Sequence, residues 1–474
     1  MTRTTTRRRA ALALVACLAL LATACGDGDD GDGGESAGGD ADGDTEELAD
    51  RCPLGAIADA TKPVEITYWH SMTSANEEAL KRLADRYNAS QGDVRVSLVN
   101  QTSYDDTLTK YRAALGGGAL PDLVQLQDVD TRLVVDSAST LPAGACVEAT
   151  DFDMDGVIAR VTDYYTVDGV LQAVPFATSN PILYFNEKAF TAAGLDPADP
   201  PSTLDELRTA AEKLKASGVR FPLSIKQDSW YPEEWMAMAG ETFANNGNGR
   251  DDRATEVRFD SGAGRDIAEW LAGMAGDELA QLTDPANFDN LLAIGSGVSA
   301  MTMETSAALG TILQVLGSGQ YPNVELAAGP LPGPDGDGGT VQAGSANFIV
   351  AKSPPARQEA AWRFASWLTE QEQTAEWSAA TGYIPLRASA LDTPAIKDLW
   401  AKTPEFEVAY RQITTGTDND ASAGPMIGPM KEVRDIVEDL LSALFSGADV
   451  ETELDAAAEK ANTAIAAYEE RVET

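Results

Sequence analysis

The stretch Gln227-Asp228-Ser229-Trp230-Tyr231-Pro232-Glu233-Glu234-Trp235 sets aromatic rings among acids on what reads as a loop opening into a helix. Aromatic faces stack on the C–H faces of sugars and polyols, and carboxylates accept hydrogen bonds from hydroxyls. The pattern suits a neutral polyhydroxyl ligand. Trp230 is placed for contact, whereas Trp235, one turn inside the helix, is expected in the core. Asp128 and Glu304 could supply the two carboxylates of a glycoside hydrolase. Arg434 offers a planar donor fork for an oxyanion or for hydroxyls; pairing with Asp435 or Glu438 at the surface is the other reading. His70 is the single histidine and reads as a positioned residue after a strand. The chain has no Gly-x-Ser-x-Gly elbow and no His-Glu-x-x-His metal motif, so no catalytic residue, metal or cofactor is assigned. Asp151-Phe-Asp153-Met-Asp155-Gly156-Val-Ile158 matches the first eight places of a calcium loop, but Thr162 stands at the twelfth, where a bidentate Glu belongs. An acidic surface turn is expected there, with calcium left open.

The elements that must position these groups alternate. Val64 to Trp69 has strand periodicity, and Ser74-Ala-Asn-Glu77 reads as a capping box before Leu80, Leu83, Ala84 and Tyr87 at helical spacing. Val94, Val96 and Leu98 form the next strand, Tyr104 to Leu115 a helix, and Leu120 to Leu126 a buried strand. Strands alternating with helices predict parallel βαβ units and an α/β class. Ligands of such sheets sit beyond the carboxyl ends of the strands, near His70-Ser71, Tyr104 and Gln127-Asp128. Between Gly169 and Asn186 two apolar runs flank Ala177-Thr178-Ser179-Asn180, with Pro175 and Pro181 on either side. Proline fixes φ and lacks a backbone donor, so the polar patch is not expected inside an ordinary strand. The chain crosses there from one core to another.

The start of the chain reads as an address. Arg7 to Arg9 precede an apolar run from Ala10 to Leu21 and the small residues before Cys25, the form of a signal peptide over 1–24. Cys25 resembles a lipidation site, although Leu21 stands one place early for that motif. The Gly- and Asp-rich stretch that follows, out to residue 61, is expected to be a flexible tether. Lys and Arg number 35 against 75 Asp and Glu, a net charge of −40, which disfavours nucleic acid as a partner. Cys52 and Cys146 remain as a pair in an exported setting, either a disulfide or two buried thiols; the disulfide is expected.

The run 169–186 and the sequence after it, NEKAFTAAGLDPADPPSTLDELRTAAEKLKASG, resemble the extracellular solute-binding proteins of ABC importers. So do TYWHSM (67–72), TAEWSAATGYIPLRASA (374–390) and GPMIGPMKEVRDIVEDL (424–440). The likeness is to the branch taking up glycerol 3-phosphate, glycerophosphodiesters and carbohydrates. It implies a two-lobed periplasmic-binding-protein fold with discontinuous lobes, 62–177 with 346–389 and 178–345 with 390–474, hinge strands between them and the ligand cleft at the junction. It places ligand contacts at Tyr104, Asp128, Ser179, Trp230, Thr305, Gly344, Tyr383 and Arg434, with His70, Asn180 and Glu304 as secondary candidates. Asp128 replaces the branch's Glu and Thr305 its Ser. The implied function is capture of a small sugar or polyol, or alternatively of glycerol 3-phosphate or a glycerophosphodiester, for delivery to the transmembrane subunits of an ABC permease. The expected form is a monomer held by lipid on the outer face of the cell membrane. An exported glycoside hydrolase is the competing class.

Overall fold

The computed structural model describes residues 48–58, 60–285, 288–316, 318–334 and 339–472; the stretch read as a signal peptide, Cys25 and the first part of the expected tether lie outside them. Alternating apolar residues first form β1 (Val64–His70), β2 (Val94–Asn100), β3 (Leu123–Gln127), β4 (Thr140–Leu141) and β5 (Val174–Ser179). Next come β6 (Pro181–Asn186), β7 (Leu223–Lys226), β8 (Ala280–Thr283), β9 (Met301–Thr305), β10 (Leu326–Gly329) and β11 (Ala343–Val350). One sheet has the order β2-β1-β3-β11-β4, with β5 also paired to β11, and the other the order β8-β7-β9-β6-β10. As expected from the alternation, β1 pairs in parallel with both β2 and β3.

Helices cover each sheet. α1 (Ser74–Ser90), α2 (Tyr104–Leu115), α3 (Leu204–Ala216), α4 (Trp230–Met238) and α5 (Gly262–Gly276) come from the first two-thirds of the chain. They are followed by α6 (Pro355–Leu368), α7 (Gln371–Thr381), α8 (Glu405–Thr415), α9 (Met430–Phe445) and α10 (Val450–Val472). Ile66, Leu80, Leu83, Phe364 and Trp377 share one core, and Leu183, Leu207, Leu223, Met303 and Val437 another. Burying such a side chain contributes about 1.5–3 kcal/mol. A third cluster joins Leu126 and Phe348 of the first sheet to Ile182 and Tyr184 of the second. The result is two α/β lobes with an apolar seam between them.

Two local expectations change. The α1 start has Thr73 as N-cap with no side-chain cap, and Ser74 is already in the helix, so the expected capping box is absent. At α3 the box does form: Thr203 accepts from Glu206 N while the Glu206 carboxylate reaches back to the Thr203 amide. The polar patch is also less of a break than its prolines suggest. Ala177, Thr178 and Ser179 stay within β5 and pair with β11, and the register shifts opposite Pro175 and Phe176. A bulge accommodates a residue that cannot donate. The crossing is a single residue, Asn180, before β6 enters the second sheet.

Residues 48–58, assigned to the tether on composition, are held against the first lobe. Ile57 N donates to Glu359 Oε2 at 2.9 Å. Cys52 and Cys146 form a disulfide with Cα atoms 5.0 Å apart. Among the described residues no helix is long and apolar enough to cross a membrane.

Candidate ligand cleft

β3 runs into Gln127 and Asp128, and β9 runs to Glu304 and Thr305. Between these strand ends, one from each lobe, lies a cavity of about 320 Å³. The first lobe contributes Tyr104 from the start of α2, Asp128, Ser179 from the end of β5, Gly344 from the start of β11, and Tyr383 just past α7. The second contributes Trp230, Glu304, Thr305 and Arg434. The structure therefore brings the eight primary candidates and Glu304 to one cavity.

Asp128 is buried, and its carboxylate accepts from Val129 N at 2.7 Å and Gly344 N at 2.8 Å. Burial pushes its carboxyl up to about 6, against the pull of Arg434 and of those two amides. Gly344 has φ +125°, and a Cβ there would stand 1.9 Å from Ala177 O. Only glycine lets β11 approach β5 this closely and still aim its amide at Asp128.

The aromatic groups are braced from behind. The Tyr383 ring stacks on Trp377 with centroids 5.4 Å apart. The Tyr104 hydroxyl donates to Ser345 Oγ at 3.2 Å and lies 3.5 Å from the Tyr383 hydroxyl. Burial raises both phenol pKa values, which keeps them neutral hydrogen-bonding groups. Trp230 is half-buried on the cavity. Trp235 is in the core, its indole donating to Pro332 O at 2.8 Å.

Each primary charge on the second-lobe side has a partner. Lys226 Nζ lies 2.6 Å from Glu304 Oε2, and Glu304 Oε1 accepts from Thr305 N at 2.9 Å. Arg434 Nε and Nη2 donate to the two oxygens of Glu233 at 2.8 and 2.6 Å. Burial works against the Arg434 charge, but Glu233 and Asp128 outweigh it and hold its pKa above the usual arginine range.

His70 and Asn180 do not line the cavity. Ile66, Tyr68 and His70 all fall on the buried face of β1, because side chains two apart share a face. The imidazole is buried beside Tyr68, and burial lowers its pKa. Asn180 Nδ2 donates to Ala409 O at 3.1 Å, tying the crossing to α8. The calcium-like loop is engaged otherwise: Asp153 accepts from Arg387 at 3.1 Å and from Gly156 N at 3.0 Å. Among the described residues no group of three metal-binding side chains gathers.

Gln127, expected beside Asp128 at the strand end, is in the lining, whereas Asp105 and Lys431 were missed. Asp435 and Glu438, expected only as surface partners of Arg434, also face the cavity, as does Asp228. Lys431, Arg434, Asp435 and Glu438 are spaced i, i+3, i+4 and i+7 along α9, which puts them on one helix face. That periodicity was the available signal. Lys431 also reaches across to Asp105 of α2 at 3.3 Å.

A family model described as bacterial extracellular solute-binding protein matches residues 82–407. The sn-glycerol-3-phosphate-binding periplasmic protein UgpB of Escherichia coli O1:K1 / APEC is 26% identical over 433 residues, covering 88% of this chain and 96% of that protein. The cyclic alpha-maltosyl-1,6-maltose binding protein of Arthrobacter globiformis has a similar structure, with a TM-score of 0.70 at 25% identity, over 85% of this chain and 99% of that one. UgpB of Mycobacterium tuberculosis, in complex with glycerophosphocholine, shares the fold with a TM-score of 0.71 at 22% identity, over 86% and 99% of the two chains.

Proposed function

The chain belongs to the bacterial extracellular solute-binding protein family, and from that premise we propose that it captures a small polyhydroxyl solute, a sugar or polyol, for an ABC importer. The observation that carries the reading is the cleft itself. Aromatic rings and directed carboxylates from two lobes face one cavity, and the two cations that line it, Lys431 and Arg434, are already ion-paired, the first with Asp105 and Asp435 and the second with Glu233. A hydroxyl can donate to Asp128 and accept from a guanidinium, so it uses both kinds of group. A phosphate would sit near Asp128 and Asp228 and lose by repulsion; in a partly buried site each close like-charged pair costs on the order of a few kcal/mol.

Capture works by closure. Contacts made to both lobes stabilise the closed state over the open one, and a ligand touching a single lobe shifts nothing. The expected bounds, 62–177 with 346–389 and 178–345 with 390–474, shift where β5 runs to Ser179 and β11 starts at Ala343, so in this reading the first lobe is 62–179 with 343–389 and the second 181–342 with 390–474. Cys25 as a lipid anchor, a monomeric state and delivery to a permease on the outer face of the cell membrane belong to the same proposal. It assigns no catalytic role: the Glu304 carboxylate is engaged by Lys226 on one oxygen and by the Thr305 amide on the other.

Calorimetric titration tests the ligand class. Binding of a neutral mono- or disaccharide or a polyol, with glycerol 3-phosphate weaker, is expected. Tight binding of glycerol 3-phosphate or a glycerophosphodiester with none across the neutral panel would establish the second ligand class, which the Escherichia coli relative's name favours. Turnover of an oligosaccharide would make the protein a hydrolase.

A further inference from the structure

The arginine of the cleft carries its own counterion. Glu233 lies on α4, is 4% exposed and does not line the cavity. Both of its oxygens are taken by Arg434, and Ser229 Oγ also donates to Oε1 at 3.4 Å. The clasp engages the Nε edge of the guanidinium, the two-point geometry that fixes a fork most firmly. The Nη1 side is left out of that clasp, while the side chain as a whole stays on the cavity wall. Asp128 and Asp228 also act on the Arg434 charge. An anion approaching this guanidinium therefore meets a cation whose field is cancelled at contact distance and opposed by two further carboxylates.

We propose that Glu233 is a positioning residue that determines ligand charge: it neutralises and orients Arg434, so the cleft receives donors without a net positive charge. The inference rests on the neutral-ligand reading and names the side chain that enforces it. Glu233→Gln keeps the size and one accepting oxygen but removes the charge.

The test compares wild type and Glu233→Gln by calorimetric titration with glycerol 3-phosphate and with the neutral panel. Affinity of the variant for glycerol 3-phosphate is expected to rise about tenfold or more, the equivalent of one strong charge interaction. The gain should shrink with added salt, and neutral binding should change far less. Glu233→Asp, which keeps the charge, should retain wild-type selectivity; a role in packing alone would be disturbed by either change. If Glu233→Gln binds glycerol 3-phosphate no better than wild type, the inference is wrong. Should Glu233→Gln fail to fold, Glu233→Met, neutral and of similar length, takes its place under the same criterion: tighter binding of glycerol 3-phosphate than by wild type is expected, and no gain overturns the inference. Failure of the ligand-class reading is separate: it shows in wild type alone, as preference for the anion.

Discussion

Trp230 and Trp235 sit five residues apart on one helix and have opposite fates. Trp230 is half-buried on the cavity, and Trp235 is sealed in the core with its N–H satisfied by Pro332 O. Trp230→Ala is expected to weaken ligand binding about tenfold, from loss of a stacking face, while the unfolding midpoint changes little. Trp235→Ala removes a buried ring and is expected to cost about 3–5 kcal/mol of stability. Thermal unfolding beside calorimetric titration separates the two; a Trp230→Ala variant that unfolds would make that residue core. The contrast between the two was legible in the sequence, because one turn of helix separates mouth from interior. The exclusion of His70 was legible too, since it continues the alternation of Ile66 and Tyr68, but its place after a strand drew it toward the site. Glu233 was not legible as a partner of Arg434: the two are 201 positions apart, and only the packing of α4 against α9 joins them.

At the scale of elements, the strands and helices of the first lobe could be read from periodicity, and α2 spans Tyr104 to Leu115 as expected. The crossing could be located but not resolved. Its prolines marked a real irregularity, yet the bulge opposite Pro175 let β5 keep pairing, which depends on a partner strand more than 160 positions later. The tether's end was misplaced for a related reason. Composition gives no sign that Cys52 and Ile57 dock on residues 94 and 302 positions away. That docking predicts a consequence. Replacing Cys52 and Cys146 by serine frees the segment and is expected to cost about 2–5 kcal/mol, read as a lower denaturation midpoint. Titration of two free thiols in the unreduced, denatured wild-type protein would show that the bond does not form.

For the whole molecule the governing fact is acidity, a net charge of −40 with several carboxyls buried at the cleft. Burial pushes Asp128 up to about 6, and burial with the charge of Asp128 nearby pushes Asp130 up to about 7. Burial with the charges of Asp228 and Asp435 pushes Glu438 up to about 7. Each of these groups binds its proton more tightly folded than unfolded. Stability therefore rises as pH falls through the folded values toward the ordinary carboxylate range, and is lost as pH climbs past about 7. Asp136 runs the other way: burial opposes its charge, but Arg253 and Tyr468 outweigh burial and lower its pKa, so its contribution is lost only in more acidic solution. The ligand-free protein should thus melt higher at about pH 5.5 than at about pH 8. General charge repulsion acts in the same direction, but salt screens exposed charges more than buried ones. Part of the difference should therefore survive in high salt, and a midpoint that is flat or rises with pH there would refute the cleft as its source. Ligand affinity is expected to move oppositely. A hydroxyl donates best to the Asp128 carboxylate, so the dissociation constant should increase as pH falls through about 6, even while the empty protein becomes more stable. Calorimetric titration across that range checks it, and affinity indifferent to pH would remove Asp128 from the ligand contacts.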